Sequence, residues 1–235
     1  MHVALALCLT LLWIPLLSAV TPSTQPELRL YTEEYAPFNF SSGESVAGVN
    51  TEIIQRTLTI LGIRWQVEIV PWGRAQRFTQ TQANTCFYSA VRTMERELMY
   101  QWVGPLIEER VQLFSLDPNM PIFTQFGDAK HLKIGGQTAD AYTDYGASQG
   151  LKIDRVAEIP VNLTRLQLGR IDLWLAGSIG GAYIGEQSNL KLYPVASSEQ
   201  VFQLWLACNP EISPQLIKQL NETLHLLQAQ QQKTK

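Results

Sequence analysis

The sequence predicts an α/β protein made of two consecutive α/β sets, each a mostly parallel sheet layered with helices. Three observations predict it. Between Leu28 and Leu116 the apolar pattern alternates strand, helix, strand, helix, strand, the order of an α/β layer. The run Asp117-Pro118-Asn119-Met120-Pro121 then interrupts the pattern, and a second alternating set follows it. The length of 235 residues suits one large domain or two small ones.

In the first set, residues 28–31 read as a short strand. Ile53, Ile54, Leu58 and Leu61 form a helical stripe stopped by Gly62. Residues 65–70 alternate as a strand, and Pro71 opens a helix reaching about Gln82. A strand at 85–91, a short helix capped by Thr93 and an apolar strand at 110–116 complete the set. In the second set we expect strands at 132–135, 153–156 and 171–176. Helices fall at 140–149 and in a segment capped by Asn162 and ended by Gly169. After Lys191-Leu192-Tyr193-Pro194 comes an apolar strand at 201–207. The last helix is plainly marked: Ser213 caps it, Pro214 sits in its first turn, and Leu216, Ile217, Leu220, Leu224 and Leu227 form its stripe.

Residues 3–20 are almost purely apolar, are broken by Pro15 and end in the small residues Ser18-Ala19. This is the pattern of a secretory signal peptide, expected at 1–19 and cleaved near Ala19, with 20–26 as a flexible leader. A retained anchor is the alternative, since about 18 apolar residues barely cross a bilayer. The mature chain is then expected to be soluble and extracytoplasmic. Cleavage removes Cys8 and leaves Cys86 and Cys208, which can form one disulfide or remain two buried thiols. Asn39, Asn162 and Asn221 begin glycosylation sequons, meaningful only in a eukaryotic secretory host. A net charge of −3 without like-charge runs points away from nucleic acid and from membrane surfaces.

The segment Arg92-Thr93-Met94-Glu95-Arg96-Glu97 places two guanidinium groups just after a strand. Each offers a planar fork of donors that grips carboxylate or phosphate, and in open α/β sheets strand ends face the ligand crevice. Surface ion pairing with Glu95 and Glu97 is the alternative.

Four stretches in order resemble the family 3 extracellular solute-binding proteins of the bacterial periplasm: Tyr35-Ala36-Pro37-Phe38 followed by Gly48; Trp72-Gly73-Arg74-Ala75; Arg92 to Glu97 with Trp102-Val103-Gly104-Pro105; and Leu168-Gly169-Arg170-Ile171-Asp172-Leu173-Trp174. The resemblance covers nearly the whole mature chain. It implies the two-lobed periplasmic-binding-protein-like fold (type II), with two crossover strands and a central ligand cleft. Lobe one would take 27–112 and 197–232, lobe two 113–196, with crossovers at 110–116 and just before Val201. It also brings Cys86 and Cys208 onto neighbouring strands, which favours their bridge.

Carried over by position, Arg96 matches the arginine that grips a ligand α-carboxylate, Ser89 a polar position in the same lobe, and Tyr35 the aromatic that covers the ligand. Trp72 and Arg74 belong to a subgroup with less defined ligands, and Arg92 is a second candidate anchor. Thr138 and Asp140 lie at a helix N-terminus in lobe two, suited to an anion. The acids that hold the ammonium in amino-acid binders are replaced here by Thr32 and Gly177; Glu34 or Asp140 are the possible substitutes. The resemblance therefore implies a periplasmic location, a small polar, carboxylate-bearing solute, no cofactor, a monomer, and a membrane transporter or receptor as partner. An enzyme on the same scaffold is the competing class. Beyond the signal the only histidines are His131 and His225, and no nucleophile elbow, Cys–His pair or metal-ligand cluster is visible. A stand-alone sensory module acting on a receptor is a third reading.

Overall fold

The computed structural model describes residues 27–233, so the expected signal peptide and leader lie outside the described residues. The first half runs β1 (Leu28–Thr32), a small hairpin of β2 (Phe40–Ser42) and β3 (Ser45–Ala47), α1 (Val49–Ile60), β4 (Trp65–Ile69), α2 (Trp72–Thr81), β5 (Thr85–Val91) and β6 (Gln101–Ser115). The second runs β7 (Ile134–Gln137), α3 (Ala141–Ser148), β8 (Ile153–Val156), α4 (Ile159–Gln167), β9 (Leu173–Gly177), α5 (Ser178–Gln187), β10 (Tyr193–Cys208) and α6 (Pro214–Lys233). A short 3-10 turn, Phe126–Ala129, precedes β7.

Eight strands share one sheet in the order β4-β1-β5-β10-β6-β9-β7-β8. The outer trios are internally parallel, while β6 and β10 pair antiparallel with each other and with their neighbours. The architecture is two lobes joined by two long central strands.

Burial follows from the period of two along a strand. Leu28, Leu30, Cys86, Tyr88, Leu206 and Cys208 share a core with Ile54 and Leu58 of α1 and Leu220 and Leu224 of α6. On the opposite face Tyr31, Phe87 and Ala207 pack with Trp72 and Ala75 of α2. Each leucine buried in this way stabilises the fold by about 1.5–3 kcal/mol relative to exposure. Cys86 and Cys208 are paired residues of β5 and β10 and are disulfide-bonded.

Three local expectations change, and one unassigned segment is helical. The crossover strands are longer than expected, 15 and 16 residues, because β6 and β10 pair through Gly104-Pro105 and Glu108-Glu109 with register shifts instead of stopping there. Thr93 caps no helix: residues 94–99 are successive turns, with Arg96 N donating to Thr93 O (3.1 Å) and Met99 N to Arg96 O (3.0 Å). Asn162 lies inside α4, which starts near Pro160, and its amide donates to Gly136 O (2.9 Å). The helix α5 has no counterpart among the expected elements, and close packing requires its glycines. A Cβ on Gly180 would strike the Tyr35 ring and one on Gly181 the Phe114 ring, so packing outweighs the roughly 1 kcal/mol helix penalty of each glycine. The sequon asparagines are structural as well. Asn39 and Asn162 are fully buried, and the Asn221 side chain joins Gly104 N, Trp102 O and Ile217 O.

Candidate functional site

Strand ends from both lobes converge on one crevice, as the α/β layout dictates. From the first lobe, the loop after β1 supplies Glu33 and Tyr35, α2 supplies Trp72, the end of β5 supplies Ser89 and Val91, and the turns after it supply Arg96. From the second come Gln137 of β7, Asp140, Tyr142 of α3, Asn162, and Trp174 to Gly177 along β9. The space between them is about 30 Å³, room for roughly two or three water-sized groups.

One carbonyl closes the crevice. Ala139 adopts a left-handed backbone conformation (φ 57°), and its oxygen accepts from Trp72 Nε1 (3.0 Å), Gln76 Nε2 (3.0 Å) and Arg96 Nη2 (2.8 Å). All three donors come from the opposite lobe. Arg96 Nη1 also donates to Val91 O (3.1 Å), which fixes the guanidinium at the strand end. A fourth cross-lobe bond runs from Gln137 Nε2 to the Glu33 carboxylate.

Burial pushes the Glu33 carboxyl up to about 8, with the Gln137 amide opposing the shift and the nearby Asp140 adding to it. Asp140 is the N-cap of α3, accepting from Thr143 N (2.9 Å) and Thr143 Oγ1 (3.0 Å). Burial raises its carboxyl too, against these bonds and the Arg96 charge. Behind the crevice Glu109 of β6 is buried. It accepts from Tyr35 Oη (2.5 Å), Tyr142 Oη (2.8 Å), Ile179 N (3.0 Å) and Gly180 N (3.4 Å), so it ties the loop after β1 and helix α3 to a central strand and to the N-terminus of α5. Burial raises its carboxyl, and the four donors counter only part of that. Ser89 sits at a bulge of β5 with φ 64°; its Oγ donates to Asn39 Oδ1 and accepts from Asn50 Nδ2 (3.0 Å).

Of the residues singled out in the sequence, Tyr35, Trp72, Ser89, Arg96 and Asp140 are brought together at the crevice. Glu34, Arg74, Arg92 and Thr138 are not. Glu34 turns away and accepts from Ser41 N (3.2 Å) and Ser41 Oγ. Arg74 is exposed on α2, whose inward positions are Trp72 and Ala75. Arg92 forms a two-pronged pair with Glu97 (2.7 and 2.5 Å) and stacks over Trp102 and Trp205. Thr138 is exposed, its backbone N–H bonded to Val156 O (2.9 Å).

Sequence reasoning missed Glu33, Glu109, Gln137 and Tyr142. Glu109 carried a readable signal, since it is in phase with Val111 and Leu113 on the buried side of β6 while Glu108 and Arg110 face outward. The bare Gly177 is explained by the same residue: a Cβ there would overlap Tyr35 Oη and the Glu109 carboxylate. Among the described residues no cluster of His, Cys, Asp and Glu could hold a metal ion.

No family model matches the chain, and no curated protein matches it. Solved structures do. The holo arginine-binding protein of T. maritima superposes with a TM-score of 0.77 at 14% identity, over 86% of this chain and 90% of that one. The arginine-, lysine-, histidine-binding protein ArtJ of Geobacillus stearothermophilus gives 0.77 at 16% identity, over 87% and 90%. A histidine kinase sensor domain similar to periplasmic binding proteins gives 0.79 at 18% identity, over 88% and 92%. The chain shares the two-lobed periplasmic-binding-protein fold. At these identities the likeness establishes the fold alone.

Proposed function

We propose that this protein is a non-enzymatic, extracytoplasmic solute-binding protein that captures a small polar solute between its lobes for uptake or sensing. The observation that carries this reading is the convergence of Trp72, Gln76 and Arg96 on Ala139 O across the crevice. Side chains of one lobe latch a single backbone atom of the other, directly beside ionisable groups that face the enclosed space. Such a contact exists only when the lobes are closed, and a solute touching both lobes favours that state. The match to solute-binding proteins and to a sensor domain supports both outcomes, delivery to a membrane transporter or report to a receptor.

The lobe boundaries we propose are 27–112 with 197–232, and 113–196. Of the expected anchors, Tyr35 and Trp72 contribute aromatic walls. Arg96 faces the solute while bonding both Val91 O and Ala139 O. Glu33 joins Asp140 as the acidic side of the cleft, taking the role first given to Glu34. The test is thermal melting against a metabolite panel. A ligand at 100 times its dissociation constant adds about 2.7 kcal/mol of stability. Absence of any shift across neutral, cationic and anionic solutes refutes the reading, and turnover of a hit refutes its non-enzymatic part.

A further inference from the structure

Resting on the cleft as the binding site, we propose that its solute is a small protonated amine without a carboxylate, the ammonium seated against Glu33 and Asp140 and under the Tyr35 and Trp72 rings. The enclosed space makes the site; the charges around it decide the sign. Three ionisable side chains line it: Glu33, Asp140 and Arg96. Neither acid has an ion-pair partner within 4.0 Å among the described residues. Glu33 meets an amide, and Asp140 bonds within the first turn of its own helix.

Arg96, the cation beside them, is held by two backbone carbonyls, one of which Trp72 and Gln76 also bind. An incoming carboxylate would have to displace that latch while facing two acids. An ammonium leaves that latch in place, and the guanidinium beside it is turned onto the Val91 and Ala139 carbonyls. The ammonium charge is met by carboxylates, and aromatic faces attract cations further when water is excluded. The narrow space, about 30 Å³, suits a compact head group. The raised Glu33 carboxyl fits the same picture, since it is what a buried acid shows when no cation accompanies it.

The experiment melts the mature chain with matched probes, ethanolamine against serine and putrescine against ornithine, and titrates any hit by calorimetry. The expected result is a shift with an amine and none with its carboxylated partner. Glu33→Gln should weaken that amine by about 30-fold or more, as losing one partner of a buried charge pair does, and Glu33→Asp should recover part of the loss. Because Glu33→Gln removes an ionisable group but keeps the shape, its own melt without ligand shows whether it folds. Should it fail to fold, Asp140→Asn takes its place with the same expectation. Binding of an amino acid in preference to its amine overturns the proposal and leaves solute binding standing. Binding of only neutral or anionic solutes does the same. No binding of anything overturns both. An amine that binds Glu33→Gln as well as it binds the native chain also overturns the proposal.

Discussion

Arg96→Ala tests the latch most directly. The substitution removes two hydrogen bonds, of which the one to Val91 O stays within a lobe and the one to Ala139 O, at 2.8 Å, spans the cleft. A hydrogen bond from a charged donor contributes about 1.5–3 kcal/mol. At about 1.4 kcal/mol per factor of ten, the closed-to-open ratio should fall by roughly 10- to 150-fold. Trp72 and Gln76 still reach the same oxygen, so closure is weakened and not abolished. Apparent affinity for any solute falls with the fraction of closed molecules, so the dissociation constant should rise by up to the same factor. Small-angle scattering reads the opening and calorimetry the affinity. Arg96→Lys, which can keep one of the two bonds but lacks the fork, should fall between. An Arg96→Ala protein with unchanged scattering and unchanged ligand affinity refutes the reasoning. So would a large loss of global stability, because nothing in either lobe's core depends on this side chain.

Other outcomes follow from the same geometry. Glu33 has a carboxyl raised from 4.5 to about 8 in the folded chain. Between those values the native state holds the extra proton, so stability should fall as pH rises through that window. At 1.36 kcal/mol per unit the ceiling is roughly 5 kcal/mol, and opening of the cleft should relieve part of it by rehydrating the carboxylate. Melts of the native chain and Glu33→Gln at both ends of the window should diverge only at the alkaline end. Removing the Cys86–Cys208 bridge, whose cysteines are 122 positions apart, should cost about 5 kcal/mol on the loop-entropy model; denaturant titration of the double serine variant showing under 1 kcal/mol would contradict it. Gly177→Ala, which drives a methyl into Tyr35 and Glu109, should cost about 1–3 kcal/mol and lower the melting temperature by about 2–4 °C per kcal/mol. Glu109→Gln should cost about 1–3 kcal/mol, because its amide nitrogen must face either the two tyrosine hydroxyls or the two N–H groups of α5; a melt equal to that of the native chain would show those bonds to be dispensable.

The alternation of strand and helix signals, the Asp117–Pro121 break and the stripe of α6 were legible in the sequence because they are local. Each depends on periods of two or 3.6 residues and on cap chemistry within a few positions. The four motifs in order were enough to imply the two-lobed fold and the cysteine bridge. What the chain alone could not decide was where each side chain points. Glu33 and Glu34 are neighbours, yet one faces the cleft and the other bonds Ser41, because the path of the loop after β1 is set by packing of Tyr35 and Phe38 against the second lobe. Spacing alone offered Arg92 and Arg96 as two forks and the resemblance favoured Arg96; in the fold Trp102 and Trp205 hold the first and Ala139 O the second. Gly177 became intelligible only with Glu109, 68 residues earlier in β6, occupying the room it leaves. Local propensity writes the elements into the sequence; the charge and shape of the cleft arise from contacts between residues far apart in the chain, which only tertiary packing brings together.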